Sequence, residues 1–196
     1  ITTIRDKPSR KQAEEAVKTL IKWAGDNPER EGLLETPKRV VNSYKEFFSG
    51  YDSKPEQILS KTFDEVEGYD EMVIVRDIAI ESHCEHHMVP FIGIAHIGYI
   101  PNKRIVGISK LARIADVFAK RLQTQEIMTA QIADTINEVL KPKGVAVVID
   151  AQHQCMTTRG THKTESSTIT SRMLGLFRTN SNTRNEFMNL INSVNS

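Results

Sequence analysis

The first third of the chain carries apolar residues at helical spacing. Ser9, followed by Gln12 three positions later, is a capping-box pattern that predicts the start of a helix. The segment TPKRVVNSYKEFFSG predicts a second helix, with Thr36 as its N-cap and Gly50 as its stop. A further turn is expected in PEQILS, residues 55–60. This part of the chain therefore predicts a helical region.

Beyond residue 70 the pattern changes to the alternation and β-branched runs typical of strands. Strands are predicted at 71–82, 91–100, 144–155 and 166–174, with a short one at 104–107. Helical spacing returns from Ser109, at 125–140 and at 183–194. Helices first and then strands interrupted by a helical pair predict an α+β fold with a mostly antiparallel sheet. We expect a helical region at 1–65 and a second domain at 66–196.

Composition narrows the class of protein. The 196 residues are 39% hydrophobic and 26% charged, which is ordinary for a soluble globular protein. No apolar run approaches the ~20 residues that would cross a bilayer, so no membrane partner is expected. Two cysteines do not form a disulfide framework, and they favour a reducing, cytoplasmic setting.

Charge is nearly balanced overall but uneven along the chain. The formal net charge of +1 argues against a general nucleic-acid-binding protein. Residues 101–121, however, contain six basic residues and one acid, Asp116. Such a zone favours a small anionic ligand, while a solvated helix face is the alternative.

The densest group of potential metal-binding side chains in the sequence is His83-Cys84-Glu85-His86-His87. Thiolate and imidazole are preferred zinc ligands, and the Cys-x-x-His spacing lets Cys84 and His87 share one ion. Cys155, the second cysteine, becomes a third ligand if its strand lies beside the strand that leads into Cys84. If His86 or His153 also binds, the site is closed and structural. If neither binds, one position is open to water, as in catalytic zinc sites. A buried cysteine among core histidines, without metal, is the third interpretation.

A candidate anion site begins at Ser109. Its residue type favours an N-cap, and the next turn carries Lys110 and Arg113. Cations at the positive end of a helix dipole cost about 0.3–1 kcal/mol each unless an anion occupies that end. Arg159 lies four residues beyond Cys155 and would connect this anion site to the metal. On the residues alone, Arg39 is more typical of a surface salt bridge.

Gln125 and Glu126 open the predicted helix 125–140. A carboxylate accepts two adjacent N–H groups, such as those on the edge of guanine. A glutamate in the first turn of a helix is more often a partner of the helix dipole. Spacing alone leaves both interpretations open.

Five segments carry a resemblance to a known family. CEHHMVPF, GYIPNKRIVGISKLARI, RLQTQE, DAQHQCMTTRG and the later LGLF together resemble GTP cyclohydrolase I of the zinc-dependent type. The resemblance extends from GLLETPKRVVNSY to TRNEF, which is most of the chain. It implies opening of the GTP purine ring, loss of C8 as formate and rearrangement to 7,8-dihydroneopterin triphosphate. That reaction is the first step toward folate in bacteria and plants and toward tetrahydrobiopterin in animals.

The resemblance also assigns roles residue by residue. It implies a zinc ion on Cys84, His87 and Cys155, with His86 and His153 as catalytic histidines that do not bind it. Ser109 and Lys110 are implied to act in catalysis at the ribose and triphosphate. The implied substrate contacts are Arg39, Lys110, Arg113, Gln125, Glu126 and Arg159. His83 precedes the motif and has no implied role.

The family fold is the tunnelling fold, a four-stranded antiparallel sheet with two long helices on one face. The family assembles as a homodecamer with active sites between subunits. Two related enzyme families fit less well: 6-pyruvoyl-tetrahydropterin synthase holds zinc with three histidines, and the nitrile reductase of queuosine synthesis uses a nucleophilic cysteine without zinc. A non-catalytic, zinc-stabilised binding module is the alternative from another class.

Overall fold

The computed structural model describes residues 6–60, 62–63 and 68–193. The chain divides into two compact units, one up to Ser49 and one from Gly50 onward. The predicted domain boundary between residues 65 and 66 lies outside the described residues. Among the described residues, no helix is both long and apolar enough to cross a membrane.

The first unit contains helices α1 (Arg10–Trp23) and α2 (Thr36–Phe47), which pack against each other. The predicted capping box is confirmed, because Ser9 Oγ accepts from the Gln12 N–H and Gln12 Oε1 accepts from the Ser9 N–H. The prediction of Thr36 as an N-cap is wrong. Glu35 is the N-cap and already has a helical backbone, since a 3₁₀ turn leads into α2 and leaves no extended residue to act as a side-chain cap.

The second unit is built on a mixed sheet. Its described strands are β1 (Thr62–Phe63), β2 (Val73–Cys84), β3 (Pro90–Ile100), β4 (Ile105–Val106), β5 (Leu122–Gln123), β6 (Gly144–His153) and β7 (Thr168–Gly175). The main sheet has the order β5-β2-β3-β6-β7, while β1 and β4 pair separately. Its helices are α3 (Pro55–Leu59), α4 (Ile108–Ala119), α5 (Gln125–Leu140), α6 (Gln154–Thr157), α7 (Leu176–Thr179) and α8 (Ser181–Asn192). The predicted α+β class is confirmed.

The strand count of the main sheet corrects the expectation of four. β2, β3, β6 and β7 are antiparallel, and β5 adds a fifth strand parallel to β2. Only two residues of β5 pair with β2. So short a strand has no alternation of apolar and polar residues from which it could have been predicted. The predicted strand at 144–155 ends at His153, and Cys155 lies in the short α6 that follows.

Both faces of the sheet carry helices. The larger core lies under α4 and α5, which are the two longer helices on one face; its fully buried members include Ile97, Leu111 and Ile132. On the other face, Phe187 of α8 packs against Gly98, where an added Cβ would meet the ring at 2.8 Å. The sheet is therefore covered by packed side chains on both faces.

Chain direction separates two ends of this sheet. We call the end with Cys84, Phe91 and His153 the cysteine end, and the end with Ile100 and Gly144 the Ile100 end; β3 pairs with β6 from Phe91↔His153 to Ile100↔Gly144. α4 starts at the Ile100 end, directly after β4, and leads to β5 beside Cys84. α5 then starts at the cysteine end, and the chain returns from it to Gly144.

Candidate metal centre and active site

Two strand ends place three metal-binding side chains together. Cys84 is the last residue of β2, His87 lies in the turn to β3, and Cys155 follows the end of β6. Their ligand atoms all lie within 4.8 Å of one another, with Cys84 Sγ 4.0 Å from His87 Nδ1. The turn is closed by the Cys84 N–H, which donates to Val89 O at 2.9 Å, and by the Met88 N–H, which donates to Cys84 O at 2.8 Å. Pairing of β2 and β6 with β3 is what brings Cys155 to the turn.

The donor set fits zinc. Two thiols and one imidazole, held closely enough to share one ion, are typical zinc ligands. Burial, and then the neighbouring Cys84 thiol, raise the pKa of the Cys155 thiol, so Cys155 favours its neutral form until a cation binds. Among the residues that the structure describes, only Cys84, His87 and Cys155 form such a group. Three protein ligands correspond to the open type of zinc site.

His86 and His153 flank this group without belonging to it. His86 is exposed, and its Nδ1 lies 3.7 Å from Cys84 Sγ. His153 stacks on Phe91, with ring centroids 4.5 Å apart and planes 8° from parallel. Burial lowers the pKa of His153, and the Glu126 carboxylate opposes that shift. His86 therefore borders the metal group, and His153 lies at the same end of the sheet on a different element.

The start of α5 lies at the same end. Thr124 caps the helix by accepting from the Ile127 N–H at 3.2 Å. Gln125 is only 1% exposed, and its Oε1 lies 2.8 Å from His153 Nε2, whereas Glu126 is exposed. The Glu126 carboxylate thus faces solvent, while the Gln125 amide faces the interior of the chain.

Arg159 adds positive charge beside the metal group. It follows α6, is exposed, and its Nη1 lies 3.0 Å from His87 Nε2. The Arg159 guanidinium therefore lies beside the metal ligands, as predicted. A guanidinium at this point suits an anionic substrate group.

Ser109, Lys110 and Arg113 lie elsewhere. The expected N-cap at Ser109 is wrong: Gly107 is the N-cap of α4, without a side-chain cap, because the helix already begins at Ile108. The start of α4 is tied to the Ile100 end, where the Val106 N–H donates to Tyr99 Oη at 3.2 Å. At about 3.3 Å per strand residue, the stretch of β3 from Phe91 to Tyr99 spans about 26 Å. Ser109 and Lys110, in the first turn of α4, therefore lie away from the metal group of their own chain, whereas Arg113 lies midway along the helix.

Arg39 belongs to the first compact unit, in the first turn of α2, and is exposed.

Sequence reasoning missed Phe91 and the buried position of Gln125. Phe91 has the signature of an ordinary core strand residue, and only the β3–β6 register puts its ring against His153. The helical spacing of α5 would have placed Gln125 on the same face as Thr129 and Ile132, both buried, which is the one available signal.

Comparisons with known proteins agree with this site. The family model for GTP cyclohydrolase I matches residues 13–192. The chain is 58% identical over 188 residues to GTP cyclohydrolase 1 of Maricaulis maris, which covers 96% of this chain and 92% of that protein. It is 59% identical over 184 residues to GTP cyclohydrolase 1 of Hyphomonas neptunium, covering 94% and 89%. It is 56% identical over 191 residues to GTP cyclohydrolase 1 of Brucella suis, covering 97% and 90%.

Among solved structures, the archaeosine synthase QueF-Like in the apo form is 13% identical, with a TM-score of 0.42 over 53% of this chain and 93% of that chain. That likeness is too weak to carry an argument. The family match and the curated relatives each span nearly the whole chain. This chain belongs to the GTP cyclohydrolase I family.

Proposed function

We propose that this chain opens the purine ring of GTP by hydrolysis and releases C8 as formate. The ribose then rearranges to give 7,8-dihydroneopterin triphosphate, with a net uptake of one water molecule. The product leads into folate synthesis. The observation that carries the proposal is the convergence of Cys84, His87 and Cys155 in a family member, with two further imidazoles beside them.

The proposed cofactor is zinc, held by Cys84, His87 and Cys155. Bound there, it supplies Lewis-acid activation of water. Arg159 lies against His87 and adds a positive charge on the same side of the group. This positive charge therefore attracts a negatively charged substrate to the proposed zinc ligands.

His86 and His153 are the proposed proton-transfer groups. A ring opening at C8 requires a proton at N7, and imidazole side chains are suited to take up a proton and to give it up near neutral pH. His153 is held by Phe91 and Gln125, which makes it the oriented donor to N7. His86 is exposed and free to relay a proton to solvent.

Glu126 is the proposed reader of guanine. Its exposed carboxylate lies in the first turn of α5, close enough to His153 to act on that group's pKa. A carboxylate there accepts the ring N1–H and the exocyclic amine of guanine side by side. Gln125 was also expected to contact the substrate, but its side chain is buried, so we assign the reading to Glu126.

The triphosphate and ribose contacts come from a second copy of the chain. Ser109 and Lys110 lie in the first turn of α4 at the Ile100 end, far from the metal group of their own chain, and Arg113 lies midway along that helix. A complete site therefore needs the start of α4 from a neighbouring subunit, and we expect Arg39 to add a further charge between subunits. Ser109 and Lys110 would act there on the ribose and triphosphate.

Features of the sheet support assembly. β7 has no partner on its outer side among the described residues, and β2 is paired by β5 only at His83 and Cys84. Ile94 and Ile169 flank Asp150 on one face of the sheet, and their exposed fractions are 39% and 67%. Open edges and exposed apolar side chains of this kind favour pairing with further copies. We propose the tunnelling fold and the homodecamer of the family, in a cytoplasmic setting.

Formate release tests the function. The zinc-loaded protein is mixed with GTP, and formate and oxidised-pterin fluorescence are followed with time. Both are expected to appear in equal amounts and to stop when zinc is removed. A folded, assembled, zinc-loaded protein that releases neither would overturn the proposal and favour a zinc-stabilised binding module.

A further inference from the structure

The side chain of Gln125 is fully engaged within its own chain. Its Nε2 donates to Ile149 O at 3.0 Å, to Thr168 O at 2.8 Å and toward Thr170 Oγ1 at 3.1 Å. Its Oε1 lies 2.8 Å from His153 Nε2. With 1% of the residue exposed, the amide has no surface left for a substrate.

The orientation of this amide follows from its partners. Main-chain carbonyl oxygens only accept hydrogen bonds, so the NH₂ group must face Ile149 and Thr168. The reversed amide would set an oxygen against two carbonyl oxygens in a buried place, which costs the desolvation of each unpaired group. The Oε1 atom therefore points at His153.

The Oε1 atom of Gln125 in turn fixes the tautomer of His153. A neutral imidazole carries one N–H, and an acceptor facing Nε2 holds that hydrogen on Nε2. The lone pair is then on Nδ1. Phe91, stacked 4.5 Å away and nearly parallel, fixes the plane in which Nδ1 points.

We infer that Gln125 is a positioning residue that selects the Nε2–H tautomer of His153 and presents Nδ1 as its free ring nitrogen. It acts through His153 and does not touch the substrate. Nδ1, which has the free lone pair, is thereby the atom that takes up a proton and passes it on. The role of Nδ1 rests on the proposed function, whereas the tautomer rests on the hydrogen-bond network alone.

The tautomer is measured directly by nitrogen chemical shifts. The full assembled protein is labelled with ¹⁵N-histidine, and His153 is assigned by its loss in His153→Ala. At alkaline pH, where imidazoles are neutral, the wild-type protein should show an N–H type Nε2 and an unprotonated Nδ1. The opposite pattern in the wild-type protein overturns the inference, whether or not the protein turns over GTP.

Gln125→Leu removes the acceptor. We expect His153 to lose the Nε2–H preference and kcat to fall about 10-fold to 100-fold, with KM for GTP changed less than about 3-fold. Gln131→Leu is the matched control, because it removes another amide from α5 whose oxygen accepts from Gln123 at 3.0 Å. It should leave the His153 shifts and kcat unchanged.

Gln125→Glu distinguishes loss of the hydrogen-bond acceptor from a general loss of stability. It keeps an oxygen opposite His153 but loses the donors to Ile149 and Thr168, so thermal stability should fall while the Nε2–H pattern persists and more kcat remains than in Gln125→Leu. If both variants lose kcat equally while His153 keeps its tautomer in each, Gln125 is only structural and the inference is wrong.

Discussion

Cys155 belongs to the metal group and His86 lies beside it, so we expect their replacement to have different effects. Cys155→Ser removes one of the three converging ligands, so zinc content and formate release should fall together. His86→Ala removes an exposed imidazole outside the group, so zinc should stay while kcat falls about 100-fold to 10,000-fold. Elemental analysis and formate assays on the same samples measure both. Loss of zinc in His86→Ala, equal to that in Cys155→Ser, would make His86 a ligand.

Residue-level expectations from sequence succeeded where they depended on local spacing. Cys84 and His87 are three positions apart at a strand end, and any tight turn there brings them together. Phe91 and Gln125 depend on strand register and helix packing, which connect residues 28 to 62 positions apart in the chain and leave no local pattern.

At the level of elements, the β3–β6 ladder carries His153 and Cys155 to the hairpin. Gly93 permits that close approach, because an added Cβ would meet Asp150 O at 2.0 Å and Ala151 Cα at 2.5 Å. Both contacts are with main-chain atoms, which yield only if the strands separate. Gly93→Ala should therefore lower the thermal midpoint and the bound zinc together.

Gly107→Ala is the matched control for stability. Within the part of the chain that the structure describes, no atom outside the two adjacent residues lies within 4 Å of an added Cβ at Gly107, and its φ of −57° suits alanine. Its thermal midpoint and zinc content should equal those of the wild type. A Gly93→Ala protein as stable and zinc-rich as this control would contradict the proposed constraint.

Helices and strands with a strong hydrophobic period were predictable from sequence. Elements that form only through contacts with other parts of the fold were not. The helix at 125–140 has the predicted bounds, since Thr124 and a long apolar stripe define it locally. β5 is two residues long and exists only because the chain leaves α4 beside Cys84. The expected cap at Ser109 failed because residue type favours a cap without fixing where the backbone turns helical.

For the whole molecule, the two ends of the sheet predict complementation between inactive subunits. His153→Ala disables the cysteine end, and Lys110→Ala disables the start of α4. If each site takes one end from each of two copies, mixed oligomers contain some sites with both ends intact. Co-expression in equal amounts should restore roughly a quarter of wild-type activity by random mixing.

The control pairs two variants of the same end, His153→Ala with Cys155→Ser, for which no intact cysteine end exists. That mixture should stay inactive. Differently tagged subunits verify that mixed oligomers form. Mixed oligomers of His153→Ala and Lys110→Ala that remain inactive would show that each chain builds its own site.

The order of helices and strands was enough to predict the α+β class of the molecule. It did not predict that α4 runs from the Ile100 end to the cysteine end, because direction over the sheet is decided by packing. That direction is what separates Ser109 and Lys110, the proposed triphosphate and ribose contacts, from the metal group within one chain.

X-ray absorption at the zinc edge, on the assembled protein without nucleotide, tests the central claim most directly. The account predicts two sulfur ligands from Cys84 and Cys155, one imidazole nitrogen from His87 and one light atom from solvent. A second imidazole in the first coordination shell, lost in His86→Ala or in His153→Ala, would contradict it.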